Sequence, residues 1–256
     1  IGAIETLLAR HAVDTIRPGD MFLANDPYTG GGSHLPDINI IAPVYHDGEL
    51  VAFVANIAHH ADVGGMVPGS EAAVCESIFQ EGLRLPPVRV VNGGEICQDI
   101  IDIVLLNSRT PQERLGDLRA QLAANRAAIA GVEGLFARYG KARTEAALVS
   151  FVEVTERRFR RAIGALPNGV YRAEEHLSGD TPGTRATIRL KLEVKDDSLH
   201  FDFAGTDAAL RTARNVPRQA LLATVYTVAK ALLDPDVPAN AGYFRTIEVI
   251  APRGSL

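Results

Sequence analysis

At 256 residues, 46% apolar and 22% charged, the chain has the composition of a soluble globular protein with room for one large domain or two small ones. Its net charge of −5 and lack of a basic stripe weigh against nucleic-acid binding, and no apolar run approaches the length that spans a bilayer. Two cysteines, Cys75 and Cys97, with no C-x-x-C pair, fit a reducing compartment, so a cytoplasmic protein is expected.

Ile1 to Val13 has the spacing of an amphipathic helix, with Ile4, Leu7, Leu8 and His11 on one stripe. Arg17-Pro18-Gly19-Asp20 reads as a turn and Met21 to Ala24 as a short strand. Asn25-Asp26-Pro27 is expected to initiate a turn, and Gly30-Gly31-Gly32 to let the backbone turn tightly into the His34 segment. Ile38 to Tyr45 and Leu50 to Ala58 are rich in β-branched and aromatic residues, and Asp47-Gly48 between them is a strong two-residue hairpin signal. From Pro111 the period becomes helical: Leu115, Leu118, Leu122, Ile129, Val132 and Phe136 follow three–four spacing, with Asn125 at one seam position. After the Tyr139-Gly140 break, Leu148, Val152, Thr155, Phe159 and Ile163 continue it on a second helix, and the two are expected to pack antiparallel. Arg157, Arg158, Arg160 and Arg161 read as a solvated helix face.

Beyond Pro167-Asn168-Gly169, strands are expected at Val170 to Leu177, Ala186 to Lys195 and Leu199 to Phe203, with Asp196-Asp197 turning between the last two. A helix over Pro217 to Leu233 follows, ended by Asp234-Pro235. The chain opens in a helical run without Met and stops at Ala251 to Leu256 just after a further strand, as expected of a segment of a longer polypeptide. The fold class is expected to be α+β. A β-hairpin-rich, metal-bearing core would occupy 1–105, a long helical hairpin insertion 106–166, and a second β-rich segment with one helix 167–256.

Two His-x-x-Asp units, His34–Asp37 and His59–Asp62, each sit against a glycine cluster. If Asp47-Gly48 forms the loop, His46 pairs with Glu49, which carried down the ladder sets Asp37 opposite Ala58 and Pro36 opposite His59. Neighbouring strands lie about 5 Å apart, so His34, Asp37, His59, His60 and Asp62 can share one centre. Strict alternation puts His60 rather than His59 on the face of Asp37. A bulge or turn at the strand ends can re-aim either, so both histidines stay candidates. Imidazole and carboxylate without thiolate suits Zn, Mn or Fe, and such a site polarises a carbonyl or lowers the pKa of a bound water. The same grouping also suits metal-free acid–base chemistry or simple turn capping.

Asp117, Gln121 and Asn125 recur along one helix face and either border a site or form a hydrogen-bonded buried strip. Phe203-Ala204-Gly205-Thr206 is expected to be a turn, Cys75 and Cys97 to be inert, and His11, His46, His176 and His200 to be structural. No Walker loop, dinucleotide fingerprint, nucleophile elbow or His-Glu-x-x-His helix is present, so use of ATP would need another subunit or domain.

Asn25-Asp26-Pro27-Tyr28 with Gly30-Gly31, His34-Leu35-Pro36-Asp37, and His59-His60-Ala61-Asp62 with Gly64-Gly65 together resemble the hydantoinase B / 5-oxoprolinase B family. That family includes the large subunits of acetone and acetophenone carboxylases. Gln80-Glu81-Gly82, the Asp117 to Asn125 stretch, Phe203-x-Gly205-Thr206 and Pro238-x-Asn240-x-Gly242 extend the likeness in order over most of the chain.

The resemblance implies a division of labour. An A-type subunit or domain with an actin-like kinase fold binds ATP and phosphorylates a small-molecule cyclic amide, or a ketone in the carboxylases. The B-type component supplies a divalent metal centre, Zn or Mn. Carried over to this sequence, the resemblance makes His34, Asp37 and His59 the metal ligands, and His60 and Asp62 supporting or acid–base groups. The expected protein is then the metal-bearing B-type subunit of an ATP-dependent cyclic-amide hydrolase in a hetero-oligomer, with no nucleic acid or membrane partner. The large subunit of an acetone-type carboxylase and a non-catalytic scaffold are the alternatives. The sequence departs from the family in lacking an acidic segment ahead of these motifs that can add a ligand, and in stopping before the family's C-terminal half.

Overall fold

The computed structural model describes residues 2–71, 73–178 and 185–255, so Ile1 and Leu256, with which two of the expectations begin and end, lie outside the described residues. The protein has the expected α+β character, with two sheets carried by two compact units, Ile1–Lys141 and Ala142–Leu256.

The first unit holds helix α1 (Gly2–Arg10), strands β1 (Met21–Ala24), β2 (Asp37–His46), β3 (Glu49–His59), β4 (Val88–Asn92) and β5 (Glu95–Ile96), and helices α2 (Gln98–Leu106) and α3 (Pro111–Tyr139). Its antiparallel sheet has the order β3-β2-β1-β4-β5. β1 and β2 are buried on both faces, which is why they read as unbroken apolar runs rather than as alternation. On one face Leu23, Ile38, Ile40 and Ala42 join Ile101 and Val104 of α2 and Leu118 and Leu122 of α3; on the other Phe22 and Ile41 meet Ala3 and Leu7 of α1.

The hairpin turns at Asp47-Gly48, both with positive φ (50° and 81°), as a two-residue primed turn requires. Its register differs from the ideal ladder. His46 faces Glu49 and Tyr45 faces Leu50, but Val44 faces Ala52, so Val51 is an extra residue on β3. This bulge shifts every later rung by one, and Asp37 stands opposite His59 instead of Ala58. Directly opposed residues share a face, so the bulge decides the question that parity left open: His59 lies on the face of Asp37, and His60 on the face that α3 covers.

α3 begins with Pro at its first turn and ends at Gly140, whose φ of 76° an α-helix cannot continue. Its buried side includes the polar Gln121 and Asn125 between Leu118, Leu122 and Phe136. Gln121 Nε2 donates to the Ile38 carbonyl (2.9 Å) and to Asn56 Oδ1 (2.8 Å), and Asn125 Nδ2 donates to the Ile40 carbonyl (2.8 Å). Asn56 Nδ2 completes the strip by donating to Asn125 Oδ1 at 2.9 Å. Gln121 and Asn125 form a hydrogen-bonded buried strip that docks the helix on the hairpin, whereas Asp117 stays half exposed beside Arg114.

The second unit comprises α4 (Lys141–Ile163), β6 (Gly169–Ser178), β7 (Arg185–Lys195), β8 (Ser198–Asp202), α5 (Arg218–Leu233), α6 (Ala241–Phe244) and β9 (Ile247–Ile250). Its sheet runs β6-β7-β8-β9, antiparallel except for the parallel β8–β9 pair. Phe159 and Ile163 of α4 pack with Val194, Leu199, Val225, Ala229 and Tyr243, whereas Leu148 near the start of α4 is exposed. Arg158 takes a two-pronged bond to Asp234 (2.5 Å each), and Arg160 pairs with Glu156 and Asp197. Among the described residues no helix is long and apolar enough to cross a membrane.

Candidate metal centre

The His34 segment is fixed from three sides. Asn25, 1% exposed, donates from Nδ2 to the carbonyls of Leu35 and Leu83 (2.8 Å each) and accepts from Leu85 N–H (2.7 Å). Asp26 accepts from the N–H groups of Tyr28 (3.0 Å) and Thr29 (2.8 Å), closing the turn its position predicts. Gly31 has φ +78°, and a Cβ there would sit 2.3 Å from Ala3 N, so the loop lies directly on α1 and admits no side chain.

At the hairpin's open end, the ring centroids of His34 and His59 are 4.9 Å apart. Glu71, from the loop after Asp62, brings Oε1 to 3.2 Å from His34 Nε2 and 3.4 Å from His59 Nε2, and the three ligand atoms lie within 4.8 Å of one another. Behind His34, its Nδ1 lies 2.9 Å from Asp37 Oδ2, and Ser33 Oγ donates to the same oxygen. Asp37 thus faces one ring nitrogen of His34 and Glu71 the other, so a cation held here would take one of the two nitrogens and leave the carboxylate opposite to hold the ring.

Two imidazoles and two carboxylates are a donor set that suits a borderline divalent cation. Metal–ligand bonds of about 2.1 Å place neighbouring ligand atoms about 3.0–3.4 Å apart, and Glu71 Oε1 stands at that spacing from both imidazoles. The residues present therefore fit a divalent ion.

The cluster gathers His34, Asp37 and His59, and does not gather His60 or Asp62. His60 is fully buried beneath α3, with Nε2 2.9 Å from Gln121 Oε1. Because the Gln121 amide nitrogen is already donating to Ile38 and Asn56, its oxygen accepts here, and His60 Nε2 carries the proton. Burial pushes the His60 imidazole below its ordinary value, the Gln121 bond opposing and the nearby Arg114 charge reinforcing this.

Asp62 is a hub for the loop that delivers Glu71. It accepts from Gly64 N (3.1 Å), Gly69 N (3.0 Å), Arg109 N (3.0 Å) and Arg109 Nη1 (2.9 Å). Burial alone would raise its carboxyl, but the four donors outweigh that and hold it at about 2. A folded-state value below the unfolded one, near 3.9, gives stability that is present above that pH and lost as pH falls through the folded value. Denaturant unfolding is thus expected to show about 2 kcal/mol of stability disappearing between about pH 4 and pH 2 in wild type, and not in Asp62→Asn.

Glu71 carries no signal in the sequence that marks it as a ligand. It follows no periodic pattern and sits on an irregular loop. The only local hint is the turn before it, where Ser70 adopts φ 60° and Ser70 Oγ caps Val63 N–H at 2.8 Å. Gly65 (φ +83°) lets this loop run against residues 80–81, where a Cβ would stand 2.5 Å from the Glu81 carbonyl.

Residues 2–256 match the family described as hydantoinase B/oxoprolinase. The chain is 29% identical to a 5-oxoprolinase of Dictyostelium discoideum, covering 100% of this chain and 21% of that protein. It is 28% identical to caprolactamase subunit beta of Pseudomonas jessenii over 95% of this chain and 42% of the relative. The crystal structure of the ATP-dependent caprolactamase from that organism superposes with a TM-score of 0.91 at 28% identity, covering 100% of this chain and 45% of the other. A nucleotide-free acetone carboxylase shares the fold, with a TM-score of 0.88 at 22% identity over 99% of this chain and 35% of its own. The chain spans less than half the length of each of these relatives.

Proposed function

The chain belongs to the hydantoinase B/oxoprolinase family, and on that footing we propose that it is the metal-bearing part of a B-type component of an ATP-dependent cyclic-amide hydrolase. An A-type subunit or domain would bind ATP and phosphorylate the substrate, and the assembly would work in the cytoplasm. The observation that carries the reading is the convergence of His34 and His59, brought to one face by the Val51 bulge and met by carboxylates on both sides.

His34, Asp37 and His59 are the proposed ligands. One ion takes one nitrogen of the His34 ring, so of Asp37 and Glu71 one binds directly and the other acts through the ring or the solvent side. Asp37 sits on a ladder rung opposite His59, while the Glu71 side chain is 61% exposed on a loop. That makes Asp37 the expected ligand and Glu71 the group free to handle protons. Asp37→Asn is expected to empty the site, and Glu71→Gln to leave metal content within about tenfold in affinity while slowing turnover. Elemental analysis and metal titration of both variants check this.

Amides are poor electrophiles because resonance spreads the carbonyl charge onto nitrogen. Phosphorylating the amide oxygen removes that resonance, which is the use the partner makes of ATP. A divalent metal at this site would supply Lewis-acid stabilisation of the charge that develops as water adds to the activated carbon. Glu71 then accepts a proton from that water, with the Asp62–Arg109 hub holding its loop and His60, locked by Gln121, holding the end of β3.

The decisive assay measures ATP consumption by the assembled complex. Turnover with 5-oxoproline, a hydantoin or a lactam supports the hydrolase. Bicarbonate-dependent turnover of ketones would make the same centre that of a carboxylase, and full activity in His34→Ala would reduce the chain to a scaffold.

A further inference from the structure

We propose that Arg84 is an oxyanion receptor on the flank of the metal centre, its terminal guanidinium nitrogens presented to a carboxylate or phosphoryl group of the substrate. Which anion it meets rests on the cyclic-amide reading; the receptor itself does not.

Arg84 is held in place from two sides. Its Nε donates to Asp26 Oδ2 at 2.6 Å, and its guanidinium carbon stands 4.9 Å over the ring of Phe79. Asp26 is itself buried, and its other oxygen is occupied by Tyr28, Thr29 N–H and Thr29 Oγ1, so the anchor cannot swing. Among the described residues Nη1 and Nη2 meet no hydrogen-bond partner, and the side chain keeps 30% of its surface in solvent. The result is a planar fork with its Nε used for fixation and its two outer nitrogens left over. That is the geometry that accepts two oxygens of one anion, and pre-fixing it lowers the entropy lost on binding.

Phe79 supports the assignment. It is 79% exposed, and its ring lies under the guanidinium.

The backbone that carries Arg84 runs beside the segment that carries His34. The Asn25 amide bonds the Leu35 and Leu83 carbonyls together, which places the backbone leading into Arg84 across one side chain from the backbone leaving His34. On this placement a substrate whose reacting carbon sits at the histidines would meet Arg84 through a group extended toward the Leu83 side. Two sources share the chemistry: a carboxylate on the cyclic amide, or the phosphoryl group placed on it by the partner.

The test is a titration of this chain with inorganic phosphate and with acetate, read on the backbone N–H resonances of Tyr28, Thr29 and Leu85 around the Arg84–Asp26 pair in a proton–nitrogen spectrum. A saturable shift is expected in wild type. Arg84→Lys keeps the charge and the Asp26 pair but loses the fork, and is expected to bind about tenfold or more weakly. Phe79→Leu, on the surface, removes the platform and is expected to weaken binding several-fold with unfolding unchanged. No shift with either anion, or equal affinity in Arg84→Lys, overturns the proposal.

In the assembled complex, a KM raised only for a carboxylate-bearing cyclic amide identifies the substrate carboxylate. Slowed turnover of carboxylate-bearing and neutral cyclic amides alike identifies the phosphoryl group. Anion binding that survives while no cyclic amide turns over would sink the hydrolase reading and keep Arg84 as a receptor; the reverse would sink the receptor alone.

Discussion

Replacing His59 with alanine is expected to empty the metal centre while leaving the fold at its wild-type stability. The His59 side chain is half exposed, with Glu71 at 3.4 Å and the His34 ring at 4.9 Å between centroids. Its backbone stays in the β2–β3 ladder whatever the side chain. Truncation therefore removes a ligand and little else, and activity of the assembled complex should fall by about a hundredfold or more.

The next residue along predicts the opposite. His60 is fully buried, and its loss would leave a cavity and orphan the Gln121 oxygen. His60→Ala should cost about 2–4 kcal/mol of stability and retain bound metal in the fraction that folds. Elemental analysis and urea unfolding on the two variants separate these roles. A His59→Ala protein that keeps its metal, or a stable His60→Ala protein that loses it, would refute the assignment.

That contrast between neighbours was out of reach of strand periodicity, and only the family resemblance gave the ligand role to His59. Asp-Gly between two β-rich runs located the hairpin and its turn, and hence the fact that His34 and His59 meet. Which histidine faces Asp37 depends on whether the ladder holds a bulge. Val51 is one β-branched residue among several, with nothing local to mark it as the extra one. A one-residue slip inverts every face beyond it, so the site depended on a feature with no signature in composition.

Long-range pairing hid other parts for a related reason. β4 is a five-residue strand after Pro86-Pro87 that finds its partner, β1, some sixty-odd positions earlier, and β5 has two residues. Neither is long enough to show a period of its own. α3, by contrast, was legible over its length because its core side repeats at helical spacing, with Asn125 standing in the seam. Only the structure shows that this asparagine and Gln121 bond the backbone of β2. Glu71 belongs to a third kind, a residue placed by a loop whose shape is set by Asp62, Ser70 and Arg109 together.

The same coupling of local shape to chemistry underlies the second large effect, expected at Asn25. Asn25→Ala should destabilise the first unit by about 4 kcal/mol and lower metal affinity in the protein that remains folded. The side chain is buried and spends both ends on backbone: its amide on the Leu35 and Leu83 carbonyls, its oxygen on Leu85 N–H. The Leu35 carbonyl and Leu85 N–H are buried and the Leu83 carbonyl is partly so, and all three lose their partner at once, at about 1–3 kcal/mol for each buried group. Ordinary surface asparagines cost far less, so a change under about 1 kcal/mol would mean that water reaches these groups. The metal effect follows from position. Leu35 is the residue after His34, and releasing its carbonyl frees the loop that aims the His34 ring, while His59 stays on its strand. Metal titration of Asn25→Ala at a denaturant-free pH of about 7 should therefore show weakened but specific binding, in contrast to the empty site of His59→Ala. Unchanged affinity with lowered stability would show that the ring of His34 is held by Asp37 alone.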